Sequence, residues 1–150
     1  MLDALFLALF FLMLFSPVLL GVAVVLVAHT VVGVARGRKP RATTLWGKLS
    51  VTGACVAMAI YGSGLWSGGF FDFADPEDRC GLEGYGYSPA PSSMWPLHNT
   101  ECLGESGRVD LVPAFVNPLI YLGICLFAAG VVGLIISRRR RAHVERAPSP

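Results

Sequence analysis

The chain has 150 residues, 54% of them hydrophobic and 15% charged, with a formal net charge of +2. That length allows one domain, and charge is well below the roughly 25% of an average soluble domain. The apolar residues gather into three long runs rather than amphipathic stripes, which excludes an ordinary soluble core and predicts an all-α integral membrane protein.

The first run extends from Ala4 to Ala35, with Ser16, His29 and Thr30 as its polar members. As a straight helix it would be roughly 48 Å long, against a hydrocarbon core of about 30 Å. Tilt alone would have to reach about 50°, beyond the usual range. An interruption is therefore expected at Ser16-Pro17, because proline removes a backbone donor and crowds the preceding turn. Residues 13–35 form the expected span, and 4–12 a kinked extension or an interfacial turn. A cleaved signal peptide would carry a basic leading region and a much shorter apolar stretch, so the run reads as retained.

Residues 36–44 form a basic loop with Arg36, Arg38, Lys39 and Arg41, followed by Lys48 and without an acid. The second span is expected at 45–66, between Trp46 and Trp66. That spacing is about 30 Å of helix, which suits tryptophans at both headgroup levels. The third span is expected at 112–137, with Asp110 as N-cap and Pro113 in the first turn. Arg138, Arg139, Arg140 and Arg141 follow it and open a basic tail over 138–150, whose last residues, Ala147 to Pro150, read as disordered.

By the positive-inside rule both basic segments lie in the cytoplasm, and three spans then put the amino terminus outside. The same cations should attract anionic headgroups by about 1 kcal/mol per residue near the surface. Nucleic-acid binding is not expected, because no readout element accompanies the charge. Arg outnumbers Lys ten to two, a usage common in GC-rich genomes, which points to a bacterial cytoplasmic membrane.

Residues 67–111 form the one sizeable water-exposed segment. Its acids, Asp72, Asp75, Glu77, Asp78, Glu83, Glu101, Glu105 and Asp110, outnumber Arg79 and Arg108. Gly, Pro and Ser are frequent, as in Tyr85-Gly86-Tyr87-Ser88-Pro89-Ala90-Pro91, which suits turns and extended chain more than a packed core. Cys80 and Cys102 are its cysteines, and on an oxidising face they are expected to form a disulfide staple. A redox pair would favour closer Cys-x-x-Cys spacing, and a metal set of Cys80, Cys102 and His98 lacks motif spacing. Phe70, Phe71, Phe73, Trp95 and the tyrosines suit the membrane interface or a partner's surface.

Inside the spans, His29 and Asn117 are the candidate polar sites. An intramembrane ionisable group suggests function, although a neutral His29 bonded to a neighbouring helix accounts for it equally. Asn117 precedes Pro118 and is expected to satisfy a carbonyl that the proline frees. Cys55 and Cys125 read as small apolar fillers. Gly53 with Ala57, and Ala129 with Gly133, stand four apart and offer close-packing faces.

No catalytic, cofactor or metal motif stands out, and no stretch resembles a known family closely enough to transfer residues. The expected role is that of a non-enzymatic accessory subunit, partnered by the anionic bilayer surface and by another membrane protein or a second copy. Two other roles stay open. One is a transporter or channel subunit using His29, Thr52, Tyr61 and Asn117. The other is a thiol-disulfide oxidoreductase using Cys80 and Cys102 with Cys55 or Cys125 as relay.

Overall fold

The computed structural model describes residues 2–38, 41–70, 75–82, 84–88, 90, 92–105 and 107–146. Lys39, Phe71, Phe73 and the tail Ala147 to Pro150 lie outside them. Three long helices carry most of the chain: α1 (Leu2–Ala35), α2 (Ala42–Ser67) and α4 (Val116–Arg146). Between α2 and α4 come a short helix, α3 (Pro76–Leu82), and five short strands among the described residues. These are β1 (Gly86–Tyr87), β2 (Ser93–Met94), β3 (Leu97–His98), β4 (Cys102–Gly104) and β5 (Gly107–Val109). The segments Phe6–Ala35, Ala42–Ser67 and Val116–Arg140 are long and apolar enough to cross a membrane.

Of the two forms expected for residues 4–12, the interfacial turn is absent and the extension is present, for α1 passes through Pro17 as one helix. Pro17 has no N–H to give to the carbonyl of Met13, and Ser16 Oγ donates to that carbonyl at 2.8 Å instead. A serine before the proline thus restores the acceptor's partner, and the helix has no need to end.

Helices α1 and α2 end alike. Gly37 has φ 71° and Gly69 φ 66°, a left-handed conformation that glycine adopts without a Cβ penalty. After α1, Gly37 N donates to Val34 O at 2.9 Å and Arg38 N to Gly33 O at 3.1 Å. After α2, Gly69 N donates to Trp66 O at 3.0 Å and Phe70 N to Leu65 O at 3.1 Å. Both are Schellman closures, which satisfy the last carbonyls and turn the chain sharply.

The chain divides into two compact units. The first comprises Met1–Ser16 and Met58–Ile120. Its core is Leu65, Leu97, Val112, Val116 and Ile120, with Leu9, Ile60, Tyr61 and Phe70 packed against it. A folded head is built on the ends of α2 and α4. Strands β1, β4 and β5 form an antiparallel sheet in the order β1-β4-β5, and β2 and β3 form a separate hairpin. The disulfide Cys80–Cys102 joins α3 to β4 with a Cα–Cα distance of 5.4 Å. The expectation of loose turns is corrected here. Leu97, at 0% exposure, supplies an apolar anchor, and the disulfide and side-chain hydrogen bonds supply what so short a segment cannot gain from apolar burial alone.

The start of the third helix also differs from expectation. Asp110 is not its N-cap: its Oδ1 accepts from Asn99 N and Val112 N, each at 3.0 Å. Pro113 lies before the helix, which opens with Leu119 N donating to Phe115 O at 3.1 Å. Pro118 is then the third helical residue, where an N–H has no intrahelical acceptor in any case. It frees no carbonyl, so the task expected of Asn117 does not arise. At the other end α4 continues past Ser137 to Arg146. Arginine is a good helix former, and cations suit a helix's carboxyl end.

The second unit comprises Pro17–Ala57 and Tyr121–Pro150. Here α2 and α4 run antiparallel in close contact. A Cβ on Gly53 would lie 2.7 Å from Gly123 O, and one on Gly123 would lie 2.8 Å from Ala57 N. Further along, Gly130 meets Ser50 and Gly133 meets the Trp46 ring. Small residues let the two backbones approach, which is how helices gain contact where no hydrophobic effect drives them together.

Candidate functional site

Two groups of polar side chains stand out, one in each unit. In the second unit, the Schellman turn after α1 leads towards the start of α2. His29, Thr30, Gly33, Arg36, Arg38, Leu45 and Lys48 line a cavity of about 260 Å³ there. Lys48 Nζ lies 3.0 Å from His29 Nδ1. An ammonium only donates, so Nδ1 is the acceptor and a neutral ring carries its proton on Nε2. Among the described lining residues none is acidic, and three basic side chains, Arg36, Arg38 and Lys48, share the cavity. Thr30 is not a free donor, because its Oγ1 donates to Leu26 O at 2.8 Å.

The cavity adjoins a second one. Leu26, Val27, Thr30, Val31, Leu45, Trp46, Lys48, Leu49 and Thr52 line an apolar groove of about 340 Å³ between α1 and α2. Thr30, Leu45 and Lys48 border both. Lys48 is half-buried, borders both cavities and brings its ammonium to His29, as long cationic side chains do at an apolar boundary.

In the head, the polar residues hold the backbone. Asn99, 3% exposed, donates through Nδ2 to Gly68 O at 2.7 Å. Its own carbonyl accepts from Leu111 N at 2.8 Å. Asp110 receives two backbone N–H groups on one oxygen and pairs with His98 Nδ1 through the other. Asn117 grips Leu97 at both backbone groups, Leu97 N donating to Oδ1 at 3.1 Å and Nδ2 donating to Leu97 O at 3.0 Å. Tyr61 OH donates to Met94 O at 3.0 Å, which ties the β2–β3 hairpin to α2.

The candidates from the sequence therefore separate. His29, Arg36 and Arg38 come together, joined by Lys48. Lys39 lies outside the described residues, and Arg41 is exposed just before α2. Arg138, Arg139 and Arg140 are exposed on α4, and Arg141 lies in the same helix. Asn117 has a structural task in the other unit. Cys80 and Cys102 are bonded to each other and buried, at 1% and 0% exposure, so they form no metal set with His98. Cys55 is buried and Cys125 exposed, both as free thiols.

The sequence reading passed over Asn99, and over the pairing of Lys48 with His29. The second had a signal: a helix hairpin closed at Gly37 turns residues before the loop towards residues after it. Asn99 had none, since its partners Gly68 and Leu111 are distant or featureless in sequence.

Comparison of the chain with protein-family models, with curated proteins and with solved structures finds no match.

Proposed function

We propose that the chain is a multi-pass protein of a bacterial cytoplasmic membrane, amino terminus outside and basic end inside, serving as a non-enzymatic interaction subunit of a membrane or envelope complex. One observation carries this reading: three apolar helices bear a folded head whose Asn99, Asp110, Asn117 and Tyr61 are occupied by its own backbone. Such a head is built to present a surface. Leu82 is 87% exposed, and Met94, Trp95 and Leu103 are exposed as well, an apolar set that suits contact with another protein.

The helices support insertion in the same way. Val25, Val31 and many neighbours on α1 present their side chains outward, which lipid tolerates and water does not. Orientation rests on the basic hairpin and the Arg138–Arg141 cluster. Introducing Ser88→Cys and Arg140→Cys separately into a variant lacking Cys125 tests it. An impermeant thiol reagent on intact cells should label the first and spare the second. The opposite pattern would invert the topology.

The interaction role is tested by purification in mild detergent. A stoichiometric membrane or envelope partner that is lost with Leu103→Glu supports it. A partner-free oligomer that carries solute flux would sink it and favour the transport reading, for which the His29–Lys48 pair is the supporting contact. Unchanged flux in His29→Leu would remove that support. The thiol-oxidoreductase reading is disfavoured by burial of the disulfide, since exchange needs an attacking thiolate to reach a sulfur.

A further inference from the structure

We infer that the cavity at the α1–α2 hairpin and the apolar groove beside it form one binding site for a single anionic glycerophospholipid, phosphate at the cationic end and an acyl chain along the groove. The inference rests on the membrane reading above and adds a defined ligand to it.

Three observations converge. Arg36, Arg38 and Lys48 surround a cavity of about 260 Å³ whose described lining holds no acid. Arg36 and Arg38 are exposed and Lys48 is half-buried, and three cations of one sign around one concavity focus a positive potential that favours an anion there. Arginine forks match phosphate oxygens in pairs, and Lys48 adds a point charge.

The second observation is that the cavity shares Thr30, Leu45 and Lys48 with the groove of about 340 Å³ walled by Val27, Val31, Trp46 and Leu49. A free phosphate would use the first compartment and leave the second without purpose. An amphiphile with an anionic head and an apolar tail fills both.

The third is the His29–Lys48 hydrogen bond. It fixes the ammonium at the junction of the two compartments, where a headgroup phosphate meets its acyl chains. His29 thereby positions Lys48.

General attraction to an anionic membrane surface would also involve these residues, but it would be shared with Arg138, Arg139 and Arg140 and would ignore the groove. That difference makes the inference testable. Detergent-solubilised full-length protein is titrated with phosphatidylglycerol, phosphatidylcholine or glycerol phosphate and examined by native mass spectrometry. The expected result is one phosphatidylglycerol per chain, held at least about tenfold more tightly than phosphatidylcholine, since several cations contribute about 1 kcal/mol each. Arg38→Gln and Lys48→Gln should each weaken it about fivefold. Val31→Phe, which alters no charge at a 61% exposed position, should weaken it too by narrowing the groove. Replacing Arg138, Arg139 and Arg140 together by Gln should leave it in place.

Equal retention of both lipids would overturn the inference. So would a loss in the tail variant as large as in Lys48→Gln, or displacement of the lipid by equimolar glycerol phosphate, which would assign the cavity to a free anion. A protein that stays monomeric in water without detergent would defeat the membrane reading instead, and the two failures are told apart by that step.

Discussion

In the head, Asp110, Asn99 and Asn117 turn onto backbone amides and carbonyls; at the α1–α2 hairpin, Arg36, Arg38 and Lys48 line one cavity. Both regions are polar segments beside apolar helices. They differ in whether the protein supplies the partners. A short segment outside a helix bundle must hold its own backbone, because strands of two or three residues give few ladder bonds. The hairpin turn needs no such help: its Schellman closure satisfies the backbone with main-chain groups alone. Its cationic side chains are not needed to hold the backbone.

If the contrast is right, substitutions in the head should act on stability and those at the hairpin on binding. The largest loss is expected for Leu97→Ala, about 2–5 kcal/mol from the deleted contacts and the cavity left behind. Hydrogen exchange at the Leu111 and Ser88 amides should accelerate accordingly; unchanged protection would mean the head does not depend on this anchor. Next comes loss of the Cys80–Cys102 bridge in a Cys80→Ala, Cys102→Ala variant, at about 3 kcal/mol for a loop of this length. Limited proteolysis should then cut within the head while sparing the α2–α4 contact.

Asn99→Ala should cost about 1–3 kcal/mol, since Gly68 O loses its buried donor. Its neighbour sharpens the point. His98→Ala, which removes a partly exposed side-chain contact with Asp110, should cost less than about 1 kcal/mol in the same thermal melts. The smallest effect on stability is expected for Arg38→Gln, within about 0.5 kcal/mol. A drop there as large as that of Asn99→Ala would erase the distinction between the two regions.

Several features were legible before the fold. Two cysteines in one acidic segment announced their bridge, and three apolar runs announced three long helices. Part of the α2–α4 contact was legible too: Gly53, Ala57 and Gly133 were visible as small residues, whereas Gly123 and Gly130, seven apart, were the stronger signal and were missed. At Pro17 the extension formed and the turn did not, because a proline's effect depends on what else can serve the orphaned carbonyl. Ser16 was beside it in the sequence, yet only its rotamer decided the matter. Pro118 misled for the converse reason, because a helix start four residues further on makes it an innocuous first-turn proline that frees no carbonyl.

Hydrophobicity, charge placement and cysteine count are sums over a segment, and the sequence by itself determined what depends on such sums: three helices of spanning length, a basic hairpin and tail, and an acidic stapled segment. Tertiary structure alone decided what depends on pairs. It chose which carbonyl receives Asn99, which backbone Asn117 grips, and that His29 meets Lys48 at the join of a cationic cavity and an apolar groove. A hydrogen bond needs two groups within about 3 Å, and no composition or periodicity fixes that distance between residues far apart in the chain.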